Sequence, residues 1–382
     1  MSRGLVLTGG GARAAYQVGV LKGIAAILPR TVYNPFPIIC GTSAGAINAL
    51  SIAGRAGPFR LRTRKLETIW HNLRASDVYR TDAFGVAKNA FHMAASMLHS
   101  GYGIGRPISL LDNAPLRELL NNYVKFDYLE TAIGNGELEA IAISAMSYAS
   151  GQSVTFFQGQ DSIQPWNRAR RRGEKIDLTI DHLMASTAIP SLFPAVKLEG
   201  GYFGDGAVRQ LKPISPALHM DARQLLIVGV SDNATHKAPE LQPDHSPSIA
   251  QIMGHMFNSA FIDAVESDLE TLRSINRLAS VLPQSLKDKN GITDLNAVEV
   301  LSISPSQSID QIAEEHIHEL PRSLKLFLKI TGATAQGGGT SAASYLLFEP
   351  GFCRKLIALG HQDALDQEDA IREFFALPPA AN

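Results

Sequence analysis

Pro37-Ile38-Ile39-Cys40-Gly41-Thr42-Ser43-Ala44-Gly45 carries a short apolar run into a G-x-S-x-G sequence, and residues 43–53 then read as a helix. Strand, tight turn and helix follow without a spacer. That is the setting a nucleophile elbow requires, with Ser43 at the apex and the small residues Gly41, Thr42, Ala44 and Gly45 letting neighbouring backbones approach. The helix N-terminus behind Ser43 supplies positive potential where an oxyanion would form. The alternative is a serine that merely caps a helix after a buried strand.

The motif by itself decides little. Glycine fills 32 of the 382 positions, and chance alone gives ~0.2 matches to G-x-S-x-G in such a chain. Gly339-Thr340-Ser341-Ala342-Ala343 is a near-copy. It follows more glycine instead of a strand and reads as a flexible loop.

A second glycine-bearing turn opens the chain. Gly4-Leu5-Val6-Leu7-Thr8 suits a buried strand, and Ala14 to Leu28 has helical periodicity through Tyr16, Val20, Leu21, Ile24 and Leu28. Between them, Gly9-Gly10-Gly11-Ala12-Arg13 leaves backbone N–H groups to point at an anion. Gly9-x-Gly11-x-x-Ala14 also satisfies a dinucleotide fingerprint, which wants an acidic residue about 20 positions on. The first acidic residue of the chain is Glu67. An oxyanion hole is the other reading, with Gly10, Gly11 and Arg13 donating N–H groups toward a carbonyl over Ser43. Adjacent parallel strands would present both loops at their C-terminal ends.

A serine hydroxyl needs a base within hydrogen-bond reach. None of the eleven histidines has a compelling setting; His316 and His318 flank Ile317 on a polar segment that reads as surface. Gly204-Asp205-Gly206-Ala207 stands out more, because it sets an acid between two glycines after the apolar-aromatic stretch 196–203. An ordinary Asp-Gly hairpin turn is the local alternative.

Together these blocks resemble the patatin-like phospholipase family. Gly9 to Arg13 is similar to its glycine-rich oxyanion loop, and Ala14 to Leu21 to the helix that follows. Gly41 to Gly45 is similar to its nucleophile elbow. Ala185-Ser186-Thr187-Ala188-Ile189-Pro190 with Phe193-Pro194 resembles its proline-bearing segment, and Asp205-Gly206-Ala207 its D-G-A/G motif. All four blocks stand in the family's order. The resemblance covers about 1–230 and implies a Ser-Asp dyad, with Ser43 as nucleophile, Asp205 as base and Gly206 beside it. It implies no cofactor, no metal and a fatty-acyl ester as substrate. A free carboxylate is a weak base for a hydroxyl, so the dyad needs a dry pocket and a short hydrogen bond.

The bulk numbers fit a globular chain with a large core: 45% hydrophobic, 19% charged and net charge −1. That balance gives no bias toward nucleic acid. Residues 1–66 nevertheless hold nine Lys and Arg and no Asp or Glu. The densest part, Arg60-Leu61-Arg62-Thr63-Arg64-Lys65, suits either contact with anionic lipid headgroups or a solvated helix start. Two cysteines give no disulfide framework. No signal-peptide core or membrane span is evident, so a cytoplasmic or peripheral-membrane protein is expected.

Strands are expected at 138–146, 154–157, 224–231 and 298–303. Helices are expected at 14–28, 43–53, 113–122, 180–188, 248–280, 319–331 and 351–360. The alternation predicts an α/β fold, a mainly parallel sheet covered by helices on both faces. The Pro-rich segment 238–248 predicts a catalytic core over 1–237 and a mostly helical extension over 249–382 containing one late strand. The apolar, Met-bearing stretch 84–98 suits a cap over an acyl channel or a core helix. Trp166 to Arg172 suits a headgroup-binding patch, or more commonly an exposed loop, and no nucleic-acid motif accompanies it. The expected activity is lipid acyl ester hydrolysis. An acyltransferase on the same site, or a non-catalytic lipid- or phosphate-binding module, remains open.

Overall fold

A computed structural model of the chain describes residues 2–82, 85, 88–89, 91, 107, 109–231, 248–281, 297–330 and 340–379. The stretch 84–98, read as a cap or a core helix, and the linker 238–248 lie almost wholly outside these residues.

The backbone of the fold is a ten-stranded sheet in the order β10-β9-β1-β2-β3-β4-β6-β5, with β8 paired to β3 and β7 to β8. Five neighbours run parallel: β10 (Glu299–Ile303), β9 (Ala222–Val228), β1 (Ser2–Leu7), β2 (Ile38–Thr42) and β3 (Ala140–Ser147). β4 (Ser153–Gly159) turns back antiparallel on β3, and the short hairpin β5 (Trp166–Arg168) and β6 (Arg171–Lys175) extends that edge. The segment 166–172 is therefore a strand pair, not a plain loop. β7 (Val196–Leu198) and β8 (Gly201–Asp205) form a second hairpin whose end abuts β3.

Both faces of the parallel part are buried, which is why its strands read as continuous apolar runs instead of alternating ones. Leu5, Leu7, Ile39, Ile141 and Ile143 face one core. Val6, Ile38, Cys40, Ala142 and Ile227 face the other. The first core is covered by α1 (Ala15–Ile27), α2 (Ala44–Ala53) and α3 (Phe59–Asn72). α3 buries Phe59, Arg62, Thr63, Leu66 and Trp70, the stripe of an amphipathic helix. Arg62, expected among the membrane-facing cations, is instead interior: it donates to Gly57 O (2.6 Å), Ile52 O (3.3 Å) and Glu137 Oε1. Arg60, Arg64 and Lys65 of the same cluster stay exposed.

The C-terminal helices belong to this same core. The long helix Pro350–Asp366 lies against α1 so closely that a Cβ on Gly19 would stand 2.2 Å from Ile357 O, and Tyr16 donates to Asp363 Oδ2 at 2.8 Å. The helical run expected at 248–280 is Ile249–Asn258, a π-turn at Ser259–Asp263 and Ala264–Val281. The one expected at 319–331 is Arg322–Ile330, and a further helix that the sequence reading did not expect, Ile309–His316, precedes it. From Thr340 on, the near-copy is no loop either: Thr340–Leu346 is helical. No helix among the described residues is long and apolar enough to cross a membrane.

Candidate active site

β2 ends at Thr42 and α2 begins at Ala44, so Ser43 makes the whole turn alone, at φ 54° and ψ −128°. A non-glycine residue is strained there and is held by its surroundings. Gly45 shows how tight they are: a Cβ would lie 2.3 Å from Leu7 O and 2.5 Å from Thr8 O. Ser43 N donates to Ser186 Oγ at 3.0 Å, and Ser186 Oγ donates to Ser144 O at 2.7 Å. Thr42 Oγ1 donates to Gln210 Oε1 (2.6 Å), and Gln210 Nε2 donates to Ser144 Oγ (2.9 Å). The elbow is thus tied to β3 and to the segment after Asp205. Sequence reasoning gave Ser186 and Gln210 no role; the quoted block Ala185 to Pro190 was the available signal for the first.

The sheet register brings the acid to the serine. Thr42 pairs with Ser144 across β2 and β3, and Ala145 pairs with Asp205 across β3 and β8. Asp205 is the last residue of β8 and caps a 3-10 turn, Gly206–Val208, so it is not in a hairpin turn. Ser43 Oγ donates to Asp205 Oδ2 at 2.5 Å, and Asp205 Oδ1 accepts from Ala207 N at 2.9 Å. The carboxylate is fully buried. Burial pushes its pKa up to about 7 from 3.8, against the opposing pull of the hydrogen bonds from Ser43 and Ala207. A carboxylate so poised is a stronger base than a solvated one.

The glycine loop closes over the same point. A Cβ on Gly9 would lie 3.2 Å from Ser43 Cβ. Gly11 has φ 54°, and a Cβ there would stand 2.2 Å from Tyr345 O, so only glycine fits. Gln17 Nε2 holds the strand end through Thr8 O (2.8 Å), while Asn48 Nδ2 donates to Ala14 O (3.1 Å). The amides of Gly10 and Gly11 have no acceptor among the described residues. Ala12 and Arg13 continue into the 3-10 turn Gly11–Ala14.

Arg13 departs from its expected part. Its N–H is spent on Gly10 O at 3.1 Å, so it does not join Gly10 and Gly11 as an open donor. Its side chain, buried, reaches into the C-terminal helices: Nε donates to Ser344 Oγ (2.7 Å), Nη2 to Asp310 Oδ1 (2.5 Å), and the guanidinium lies 4.2 Å from the Tyr345 ring centre. Among the described residues, no histidine bonds to Ser43 or lines the pocket beside it. His316 pairs with Glu319 at 2.7 Å, and His318 bonds to Glu315 O.

From Ser43 and Gly11 a pocket with about 630 Å3 of unfilled space runs between α2, α3 and the helix Ala114–Tyr123. Ile47, Leu66, Trp70, Leu116, Leu120 and Phe193 line it, and its walls are almost entirely apolar. Among the described residues, these walls come from helices other than the stretch 84–98.

A serine on a strand-to-helix elbow, an adjoining glycine loop and a mainly parallel sheet define an α/β hydrolytic class with an acidic partner for the serine. A sequence model described as patatin-like phospholipase matches residues 5–218. The chain belongs to the patatin-like phospholipase family, a family of hydrolases. It is 25% identical over 204 residues to a cGAMP-activated phospholipase of Pseudomonas aeruginosa, covering 53% of this chain and 52% of that one. It is 28% identical over 216 residues to a cGAMP-activated phospholipase of Escherichia coli, covering 54% and 52%. A cUMP-AMP-activated phospholipase of Escherichia coli shares 51% over 51 residues, 13% and 16% of the two chains. The matches with the first two span about half the length of those relatives. The solved structure of human GIVD cytosolic phospholipase A2 covers 98% of this chain and 59% of its own, with 13% identity and a TM-score of 0.45.

Proposed function

We propose that the chain is a lipid acyl hydrolase that cleaves fatty-acyl esters of phospholipids or lysophospholipids through an acyl-enzyme on Ser43. The observation that carries this reading is the 2.5 Å bond from Ser43 Oγ to a fully buried Asp205 at the head of an apolar pocket. The acyl chain enters between α2, α3 and Ala114–Tyr123, where burial of each methylene favours binding by about 0.8 kcal/mol. Ser43 Oγ attacks the ester carbonyl as Asp205 takes its proton. The oxyanion forms toward the Gly10 and Gly11 amides and the N-terminus of α2. Collapse breaks the C–O bond, and Asp205 returns the proton to the departing alcohol. Water then attacks the acyl-enzyme, giving its proton to Asp205, and the fatty acid leaves as Ser43 is reprotonated.

The test is labelling with a fluorophosphonate probe and peptide mapping, with lipid vesicles present, on wild type, Ser43→Ala and Asp205→Asn. Adduct on Ser43, strongly slowed in Asp205→Asn, supports the reading. A folded wild-type chain without adduct on Ser43 refutes it.

A further inference from the structure

A second cavity lies on the opposite face of the sheet from the apolar pocket and shares no residue with it. It has about 660 Å3 of unfilled space and is walled by the β5–β6 hairpin, the start of β4 and the segment 209–216. Its chemistry is the reverse of the first. Arg170, Arg171, Arg209 and Lys212 line it, and no carboxylate does. Among the described residues, only Lys212 of these has an acidic partner, Asp268 at 3.2 Å. Arg171 Nε donates to Ser215 Oγ (3.1 Å) and Arg209 Nε to Gly151 O (2.8 Å), neutral acceptors that leave both charges uncompensated. Arg170 stands at φ 61° at the hairpin tip, a backbone state an arginine adopts at a cost. The hydroxyls of Ser153 and Thr155, both buried, complete the floor. His219, behind the wall, is pushed down to about 4, by burial first and then by Arg168 and Arg171.

We propose that this cavity binds a phosphate-bearing ligand. Guanidinium forks match phosphate oxygens in pairs, and hydroxyl donors take the remaining ones. Trp166 does not recruit a ring, because Phe157 (5.0 Å) and His219 (4.8 Å) already stack on its two faces. Recognition is therefore of the phosphate group, whether it comes from a soluble phosphate or from a lipid headgroup. The proposal does not depend on the hydrolase reading. It bears on it, however, because Gln210 belongs to both places. Gln210 lines the cavity, accepts from Thr42 next to Ser43, and its N–H donates to Gly206 O at 3.0 Å, next to Asp205. A ligand pulling on Arg209 moves the segment that seats the dyad.

The experiment is equilibrium binding of inorganic phosphate, and in a second arm of vesicles with and without phosphatidic acid, to the full chain. Wild type, Ser43→Ala and the double variant Arg171→Gln/Arg209→Gln are compared at constant ionic strength. Saturable phosphate binding that persists in Ser43→Ala and weakens about 10-fold or more in the double variant supports the site, as loss of charge-assisted hydrogen bonds predicts. Binding confined to phosphatidic-acid vesicles and lost in the double variant supports it with the headgroup as source. No binding in the millimolar range in either arm, or binding that the double variant leaves unchanged, overturns it. A thermal melt matching wild type shows that the double variant is folded. If it melts early, Arg171→Lys/Arg209→Lys, which keeps the charge and removes the forks, replaces it, with weakened binding again the expected result and unchanged binding the refutation.

Discussion

Arg13, in the glycine loop, and Asp310, 297 residues later in the helix Ile309–His316, are joined by a 2.5 Å ion pair. Arg13 is buried and Asp310 is about a third exposed, so the arginine depends on its partner more than the reverse. Asp310→Ala leaves a buried guanidinium with only the hydroxyl and carbonyl acceptors of Ser341 and Ser344. The expected loss of stability is about 1–3 kcal/mol, read by urea unfolding. Fluorophosphonate labelling of Ser43 should slow in the same variant while it is still folded. Unchanged labelling would mean that the pair holds the helices without setting the loop.

The pKa of Asp205 near 7 fixes a pH profile. As base it works only when ionised, so kcat/KM for a soluble ester should fall about tenfold per unit below pH 7 and level off above it. A profile flat from pH 5 to 8 would remove Asp205 as the base.

The same raised pKa has an opposite consequence for stability. The folded carboxyl binds its proton more tightly than the unfolded one, whose pKa is near 3.8, so stability falls as pH rises from there to about 7. Above that the full cost, on the order of 4 kcal/mol, is in place. Asp205→Asn removes the charge and should be more stable than wild type, by a margin that grows by about 3 kcal/mol between pH 5 and 8. Parallel melts at both pH values measure it; an equal margin at both would show that ionisation is not the cause.

Ser186→Ala deletes the acceptor for Ser43 N and the donor to Ser144 O. The strained turn then has one support fewer. Turnover of a short soluble ester should drop about tenfold, with a stability loss of about 1–2 kcal/mol. Ser186→Thr, which keeps the hydroxyl, should recover much of the rate. Unchanged turnover in Ser186→Ala would assign Ser186 no positioning part.

Ile47→Trp should fill the apolar pocket just inside Ser43. Long-chain ester turnover is expected to fall by at least about tenfold while a short-chain ester is spared. Equal loss on both would place the acyl chain elsewhere.

The chemistry-bearing turns were legible because each is local. Gly41 to Gly45, Gly9 to Gly11 and Asp205-Gly206 are short words whose meaning depends on a strand before and a turn after. What escaped was long-range. Nothing near Arg13 in sequence says that it turns away from the serine, because its partners are Asp310, Ser341 and Ser344. Arg62 reads as one more cation in a basic run, yet Glu137, 75 residues on, draws it inside. Ser341 sits in a glycine-rich stretch that reads as flexible, and it is helical because Arg13 and Asn258 give it partners. The Gln210 bridge was hidden for the same reason, since Thr42 lies 168 residues away.

The close crossing of α1 with the helix Pro350–Asp366 has a meaning for how the protein is made. Gly19 meets Ile357 O, and Gly360 in turn meets Tyr16 O, so each helix is notched to admit the other. While the ribosome is still extending the chain, α1 has an open flank for more than 300 residues of synthesis. The glycine loop ahead of it lacks Tyr345 and Asp310 over the same interval. The glycine loop thus reaches its packed form only after the late helices are made, although its residues are translated well before them. Until those late helices are made, the loop beside Ser43 lacks the contacts that hold it.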